Sequence, residues 1–291
     1  MITAVAPAKI NLAFFAGPVR PDGYHDVVSV YQALELLEKV SVEPSADWVV
    51  EITGAKLPEA SRIPNDKANL VVKAGLALAA HVGLAKTQPM RFVIEKQVPP
   101  AAGVAGGSAD AAASLIALNT AWGLGLSSVE LSKVAAKVGA DVPFALLGGT
   151  ALGVGTGVEL TSLEPFGQQH VLLVLSTPGL ATADVFREFD SLKPAGDFAE
   201  SSYVRHQYLT DPAQIIGYNS LQAAAFSLRK DLPGIAETIP GQKAFLSGSG
   251  PTLYLLSKDQ DQIITWAAKF EALGLKTLLT RTSRSGSGLE S

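Results

Sequence analysis

The sequence contains no cysteine among its 291 residues, which excludes disulfides, cysteine–zinc sites and thiol nucleophiles. Histidine is scarce, and the four present lack the spacing of a metal centre: His25, His81, His170 and His206. No apolar run approaches the roughly 20 residues that a membrane span needs. The first residues also lack the basic-then-apolar order of a secretory signal. We therefore expect a cytoplasmic protein.

A strong excess of charge of one sign is absent as well. The chain carries 23 Lys and Arg against 27 Asp and Glu, a formal net charge of −4, with no lysine-rich run. This balance gives no general attraction to nucleic acid or anionic lipid, so we expect neither as a partner. The expected ligand is a small molecule, bound by a monomer or a homodimer. Neither standard phosphate motif, G-x-x-x-x-G-K-[ST] or G-x-G-x-x-G, occurs in the chain.

The first half of the chain alternates between strand and helix patterns. Period-two alternation predicts strands over 4–15 and 27–42, with a turn at Pro21-Asp22-Gly23 between them. Apolar residues at helical spacing predict a helix over 69–83. A second helix follows a glycine-rich loop, and Ser108 is its candidate N-cap.

Strands and helices alternate again in the second half, which indicates an α+β protein with its own layer in each half. We place the domains at 1–165 and 166–283, although no obvious linker fixes the boundary. From Ser283 onward the chain reads SRSGSGLES. We predict that its last residues, 284–291, form a disordered tail.

The glycine-rich loop over 103–108 is the first candidate for chemistry. Glycines leave backbone N–H groups exposed, and the start of a helix adds partial positive charge. A phosphate would therefore fit here without a lysine. The alternative is a tight strand-to-helix connection, and the loop alone leaves both interpretations open.

Three further segments bring polar groups to positions where chemistry is possible. Lys9 and Asn11 are two residues apart on a predicted strand and share a face, unless this is an edge strand with a solvated polar face. Asp141 is either a helix cap or a carboxylate in a cleft, where Lys9 would keep it ionised. Ser247 and Gly248 open the turn SGSGPT, which is either a plain β-turn or a loop that closes over a phosphate.

Together these segments resemble the GHMP small-molecule kinases. PAKINL, the PxxxGxxGGSADAAA loop, GADVPF and SGSGPT follow one another from residue 6 to residue 252, and the four in this order are specific although each alone is weak. The resemblance implies a ribosomal-protein-S5-like N-terminal domain and a ferredoxin-like C-terminal domain, with the active site in the cleft between them. It also implies ATP as co-substrate, accompanied by Mg²⁺.

Within the family, RPDGYH and the following VYQAL are similar to the branch whose acceptor carries a cytidine diphosphate. This implies phosphorylation of the 2-hydroxyl of 4-diphosphocytidyl-2-C-methyl-D-erythritol, in the non-mevalonate route to isoprenoid precursors. By position, Asp141 would accept the hydroxyl proton, with Lys9 as its charge partner near the γ-phosphate. The implied substrate-binding residues are Asn11, Tyr24, His25, Tyr31 and Phe186.

The resemblance also implies a nucleotide site, with Asn69 and Lys96 at the adenosine end. The other nucleotide-binding positions form the phosphate cradle or close over it: Pro99, Gly103, Gly106, Gly107, Ser108, Ser247 and Gly248. Ser108 is the implied Mg²⁺ ligand as well. The chain departs from the family at Ala101-Ala102, where a further glycine is usual and where the added Cβ atoms narrow the allowed dihedrals.

Two other functions stay open at this stage. Another GHMP kinase, acting on homoserine, mevalonate or a sugar, would share the general motifs, and the DGYH stretch and Tyr31 argue against it. A non-catalytic relative would keep the fold without the chemistry, and the retention of Lys9, Asn11, Asp141 and Ser108 argues against that. A dinucleotide-dependent oxidoreductase fails on the missing glycine fingerprint.

Overall fold

The computed structural model describes residues 1–54, 63–84, 88–98, 100, 102–192 and 198–290. Its strands, in chain order, are β1 (Ile2–Val19), β2 (His25–Pro44), β3 (Val49–Gly54), β4 (Met90–Lys96), β5 (Thr150–Val154), β6 (Glu159–Leu163), β7 (His170–Leu175), β8 (Phe245–Leu246), β9 (Leu253–Ser257), β10 (Lys276–Arg281) and β11 (Gly288–Leu289). Its α-helices are α1 (Leu70–His81), α2 (Gly106–Ala121), α3 (Ser128–Val138), α4 (Val142–Leu147), α5 (Thr182–Leu192), α6 (Ser201–Thr210), α7 (Gln222–Leu228), α8 (Leu232–Ala236) and α9 (Gln260–Glu271).

The first sheet has seven strands and is organised around the long β1–β2 hairpin. Its order is β11-β1-β2-β4-β3, and β5 and β6 extend it from the first half of β2. The predicted turn at Pro21-Asp22-Gly23 joins the hairpin, and Gly23 takes the positive φ of 82° that the turn needs. The strand predictions over 4–15 and 27–42 are confirmed.

Strand β1 is buried along most of its length because it passes between two layers. Ala4 and Ala6 pack in the core that α1 and α2 form on the first sheet. Farther along, Ile10 and Leu12 pack in a second core with residues of the second sheet, including Tyr254. A strand covered on both faces has no solvated polar face. The edge-strand interpretation of Lys9 and Asn11 is therefore wrong, and both side chains are buried.

The second sheet has four antiparallel strands in the order β10-β7-β9-β8. Numbered within this half of the chain, that order is 4-1-3-2, as in a ferredoxin-like layer. Helix α9 connects β9 to β10, and its buried Trp266 and Phe270 pack into the core beneath the sheet. The proposed boundary near 165 falls between β6 and β7, where the chain leaves one sheet for the other.

The prediction of a disordered tail is wrong for the end of the described chain. Strand β11 pairs with β1 through Ala4 and Leu289, and Glu290 accepts a hydrogen bond from Lys39 Nζ at 2.7 Å. Backbone pairing at a sheet edge orders these residues even though their composition is that of a loop.

Among the helices of the described residues, none combines the length and the hydropathy needed to cross a bilayer.

Candidate active site

A cavity of about 810 Å³ lies between the two sheets, a size typical of small-molecule sites. Five segments supply most of its lining: the β1–β2 hairpin, the glycine-rich loop with the start of α2, the start of α4, helix α5, and the loop between β8 and β9. Leu70, Thr156, Leu180 and Leu221 add to it. The predicted site residues that line the cavity are Lys9, Tyr24, His25, Tyr31, Gly103, Gly106, Gly107, Ser108, Asp141, Phe186 and Gly248. The tertiary structure thus brings all four sequence motifs to one place.

Helix α2 begins earlier than its sequence pattern predicts. It starts at Gly106, and its N-cap is Ala105, which has a left-handed φ of 60° and, among the described residues, makes no side-chain capping bond. Ser108 lies inside the first turn and lines the cavity, so its prediction as N-cap is wrong. The left-handed turn at Ala105 directs the chain into the helix, and the first-turn N–H groups are left to meet an anion.

The glycine-rich loop packs tightly against the SGSGPT loop. A Cβ atom added to Gly103 would lie 2.7 Å from Ser247 O and 2.8 Å from Gly250 O, so this contact requires glycine. Ser247 Oγ donates a hydrogen bond to Gly103 O at 3.0 Å, and Thr252 N donates to Ala102 O at 3.3 Å. Ser247 therefore holds the glycine-rich loop against the SGSGPT loop, while its neighbour Gly248 faces the cavity.

Lys9 and Asp141 form an ion pair in the cavity wall, with Lys9 Nζ 3.5 Å from Asp141 Oδ2. The lysine side chain is 7% exposed and the carboxylate 30% exposed, so the carboxylate is the accessible partner. Asp141 occupies the N-cap position of α4, yet within the described chain its side chain makes no capping hydrogen bond. The helix-cap interpretation of this side chain is therefore wrong, and the carboxylate faces the ammonium group and the cavity instead.

Asn11 lies behind Lys9 rather than in the cavity wall of the described residues. Its side chain is buried, with Oδ1 accepting from Lys9 Nζ at 2.7 Å and Nδ2 donating to Ser29 Oγ at 2.8 Å. Both ends of the amide are thus used inside the protein. Orientation of the substrate by Asn11 stays a prediction, and in this structure its polar atoms are directed at Lys9 and Ser29.

Tyr31 forms part of the wall beside the ion pair. Its ring stacks on Phe144 with centroids 5.0 Å apart, and Lys9 Nζ lies 5.5 Å from the ring centroid. Burial, together with the charge of Asp141, raises the pKa of the Tyr31 hydroxyl, so it stays protonated at neutral pH. Since Phe144 already covers part of the ring, stacking of Tyr31 on a base stays a prediction.

His25 and Phe186 meet across the other end of the cavity. Their rings stack with centroids 4.8 Å apart and an interplanar angle of 27°. His25 Nδ1 lies 2.9 Å from Gly17 O, and a carbonyl oxygen can only accept, so Nδ1 carries a proton. His25 Nε2 lies 3.4 Å from Asp190 Oδ1. Tyr24 is 66% exposed at the mouth of the cavity.

Lys96 does not line the cavity formed by the described residues. Its Nζ lies 2.7 Å from Asp110 Oδ2 and 2.8 Å from Glu38 Oε1, in a buried triad. Asp110 belongs to α2 and Glu38 to β2, so the triad ties α2 to the sheet. Contact between Lys96 and the adenosine end of the nucleotide stays a prediction, and in this structure two carboxylates already bind its ammonium group.

Asn69 is the N-cap of α1, where its Oδ1 accepts from Val71 N at 3.0 Å and its Nδ2 donates to Pro64 O at 2.6 Å. These bonds give it a structural role, and it too is absent from the cavity lining of the described chain. Pro99, predicted at the nucleotide site, and Ala101 of the departing Ala101-Ala102 pair lie outside the described residues.

Sequence reasoning missed several polar residues of α5. Thr182, Arg187 and Asp190 all line the cavity, and Thr182 Oγ1 lies 3.0 Å from Ser249 Oγ across it. A signal was available, because Thr182, Phe186 and Asp190 are spaced by four and so share one helix face. Ser29 and Glu38 were also missed, and both lie in the interior of β2, where only their contacts show their use.

No three histidine or acidic side chains of the described residues converge on a metal position. The Ser108 hydroxyl and the Asp141 carboxylate do line the cavity. Mg²⁺ usually keeps several waters and binds through one or two carboxylates together with substrate phosphates. The available oxygen donors therefore fit a metal ion that is carried mainly by the phosphates of a nucleotide.

Comparison with known proteins identifies the family. Residues 69–149 match the sequence family described as "GHMP kinases N terminal domain". A 4-diphosphocytidyl-2-C-methyl-D-erythritol kinase of Nocardia farcinica is 40% identical to the chain, over 97% of this chain and 92% of its own length. The enzyme of the same name from Streptomyces coelicolor is 39% identical, over 89% of this chain and 88% of its own length.

Solved structures agree with this assignment. A crystal structure of 4-(cytidine 5'-diphospho)-2C-methyl-D-erythritol kinase superposes with a TM-score of 0.75 at 26% identity, covering 97% of this chain and 100% of that one. A homoserine kinase from Cytophaga hutchinsonii shares the fold, with a TM-score of 0.72 at 18% identity over 99% and 97% of the two chains. The chain therefore has the GHMP kinase fold and belongs to the GHMP kinases, within their 4-diphosphocytidyl-2-C-methyl-D-erythritol kinase branch.

Proposed function

We propose that this chain transfers the γ-phosphoryl group of ATP to the 2-hydroxyl of 4-diphosphocytidyl-2-C-methyl-D-erythritol, giving the 2-phosphate and ADP. The product belongs to the non-mevalonate route to isoprenoid precursors. The observation that carries the proposal for the site is the Lys9–Asp141 pair, which shares one cavity with the first turn of α2.

The phosphates of ATP would bind at the start of α2. Gly106, Gly107 and Ser108 line the cavity there, and the helix dipole adds partial positive charge. In phosphoryl transfer, positioning and electrostatic stabilisation supply most of the catalysis. An uncapped first turn that is fixed to a rigid sheet meets this requirement.

Asp141 is the proposed general base. Its carboxylate accepts the proton of the 2-hydroxyl as the oxygen forms its bond to the γ-phosphorus, while the bond from that phosphorus to the bridging oxygen of ADP breaks. Lys9 keeps the carboxylate ionised and offsets the negative charge of the transferring group. The larger exposure of Asp141 fits this division, since the base must reach the substrate and the lysine need only reach the base.

The cytidine end of the substrate would bind at the opposite end of the cavity. Tyr24, His25 and Phe186 supply aromatic surface there, and a pyrimidine ring would stack on such surface. Because the rings of His25 and Phe186 are 4.8 Å apart, the base must either enter beside this pair or displace α5 to separate them.

Mg²⁺, carried in with the nucleotide, would neutralise charge on the β- and γ-phosphates. Ser108 is the described residue whose hydroxyl oxygen would help to hold it, together with the phosphates of the nucleotide.

The test is incubation of the purified chain with ATP, Mg²⁺ and 4-diphosphocytidyl-2-C-methyl-D-erythritol, followed by mass analysis of the product. The expected result is a mass gain of one phosphate group, with one ADP formed per product. Homoserine and mevalonate serve as matched alternative acceptors. Phosphorylation of either one, with no gain on the cytidine compound, would refute the proposal.

A further inference from the structure

We infer that Ser29 is a positioning residue for phosphoryl transfer, which fixes the orientation of the Asn11 amide and thereby holds Lys9 against Asp141. Ser29 lies on β2 and is not among the described residues that line the cavity. The inference rests on the proposed function, because it concerns the same lysine and carboxylate.

The directions of the hydrogen bonds in this chain of contacts are fixed at both ends. A lysine ammonium group only donates, so the Asn11 atom 2.7 Å from Lys9 Nζ must be the oxygen. The Asn11 nitrogen therefore points at Ser29 Oγ, 2.8 Å away. The Ser29 hydroxyl accepts there and gives its own proton to Ala13 O at 2.7 Å, a carbonyl that can only accept.

Asn11 and Ser29 come within hydrogen-bonding distance at an irregularity of the β1–β2 ladder. Asn11 is opposite Tyr31, but Ala13 is opposite Val30, so Leu12 is an extra residue in β1. A bulge of this kind re-aims side chains and is common near active sites. The second sheet stabilises it, since Tyr254 Oη donates to Asn11 O at 2.9 Å.

Burial makes the choice of orientation important. Ser29 is 0% exposed, Asn11 2% and Lys9 5%, so water is a poor substitute for a missing partner. Without an acceptor at Ser29, the Asn11 nitrogen would lose its partner, and a rotated amide would turn that nitrogen towards the ammonium group. Lysine is a flexible chain with a compact charge, and its distance from Asp141 would then no longer be fixed.

Steady-state kinetics with ATP and 4-diphosphocytidyl-2-C-methyl-D-erythritol test the inference. Ser29→Ala should lower kcat about ten-fold, the usual effect of one buried hydrogen bond in a charged network. The KM values for both substrates should stay within about two-fold, since Ser29 is not among the described residues that line the cavity. Ser29→Thr keeps the hydroxyl and should restore kcat to within about two-fold of wild type.

A double-mutant cycle separates positioning from a general structural effect. If Ser29 acts through Asn11, then Ser29→Ala should change kcat less than about two-fold in an Asn11→Ala background. Ser114→Ala is the matched control, because Ser114 is equally buried and its Oγ also donates to a backbone carbonyl, that of Asp110 at 2.8 Å. This control should keep kcat within about two-fold of wild type.

Two results would overturn the inference. One is a folded Ser29→Ala variant with unchanged kcat, and the other is an equal loss of kcat with and without Asn11. If Ser29→Ala does not fold, Ser29→Cys replaces it, because a thiol keeps the approximate volume but is a weak acceptor; unchanged kcat in that variant would also count against the inference. A wild-type protein that forms no phosphorylated product would refute the proposed function itself, which is a distinct outcome.

Discussion

Gly103 lies in the glycine-rich loop and Gly107 lies four residues later in the first turn of α2. The structure predicts opposite effects of alanine on stability at the two positions. Gly103 has a φ of +78°, and an added Cβ would lie 2.7 Å from Ser247 O and 2.8 Å from Gly250 O. Both neighbours are backbone atoms of the opposing loop, so neither can move aside as a flexible side chain would. At Gly107 the added Cβ would meet Leu70 Cδ1 at 3.5 Å, which is ordinary contact.

The magnitude for Gly103→Ala follows from three contributions. A left-handed alanine costs about 1–2 kcal/mol, and overpacking costs about 1–3 kcal/mol. Reduced entropy of the unfolded chain returns about 0.4–1 kcal/mol. The sum is a destabilisation of about 2–4 kcal/mol, or a fall in Tm of about 4–8 °C for a chain of this size. Because Ser247 and Gly250 would be pushed away from the cradle, we also expect a higher KM for ATP.

Gly107→Ala serves as the matched control in thermal unfolding followed by circular dichroism at one scan rate. Alanine in a helix is favoured over glycine by about 0.5–1 kcal/mol, so Tm should stay the same or rise slightly. Gly107 and its neighbour Leu70 both line the cavity, so the added methyl group should raise KM for ATP without a loss of stability. A Tm for Gly103→Ala within about 1 °C of wild type would refute the close-approach argument, as would an equal loss in both variants.

Three further predictions concern the same region. Asp141→Asn should lower kcat at least about 100-fold while the Kd for ATP changes less than about three-fold, as isothermal titration would show; unchanged turnover would remove Asp141 from proton transfer. Ala105→Gly removes the strain of a left-handed alanine, which should stabilise the fold by about 1–2 kcal/mol. The glycine also raises the entropy of the unfolded chain, which costs about 0.4–1 kcal/mol. Tm should therefore rise by about 1–2 °C, and a lower Tm would contradict the strain at this N-cap. Burial raises the pKa of Asp110 to about 7. The contribution of this group to the free energy of unfolding is therefore complete below about pH 4 and is lost as the pH rises to about 7. The Tm of wild type minus the Tm of Asp110→Asn should fall over this interval and then level off, and a difference that does not change with pH would argue against a raised pKa.

The candidate residues that line the cavity were largely predictable, because most of them belong to short local motifs. PAKINL, the glycine-rich loop, GADVPF and SGSGPT indicated the family and pointed to Lys9, Asp141 and the phosphate loop. The hairpin turn and the main strands also followed from local patterns, since side-chain alternation and turn residues act over a few positions.

The roles of Lys96, Asn11 and Ser108 were not predictable in the same way. Lys96 carries the charge expected of a nucleotide contact, but Glu38 and Asp110, distant in sequence, surround it in the fold. Asn11 shares a face with Lys9, yet a bulge and Ser29 on the next strand decide where its amide points. Ser108 had the residue type of a cap, and the left-handed Ala105 displaced the helix start.

The sequence by itself determined the family, the α+β architecture and the identity of the proposed reacting pair, because these depend on residue types at fixed short spacing. Only the tertiary structure decided which polar side chains face the cavity and which support it from behind. The physical reason is that burial and hydrogen-bond direction depend on partners far along the chain, such as Ser29 for Asn11 and Glu38 for Lys96. In a buried network each donor needs an acceptor, and this requirement is satisfied only when the strands and helices are packed together.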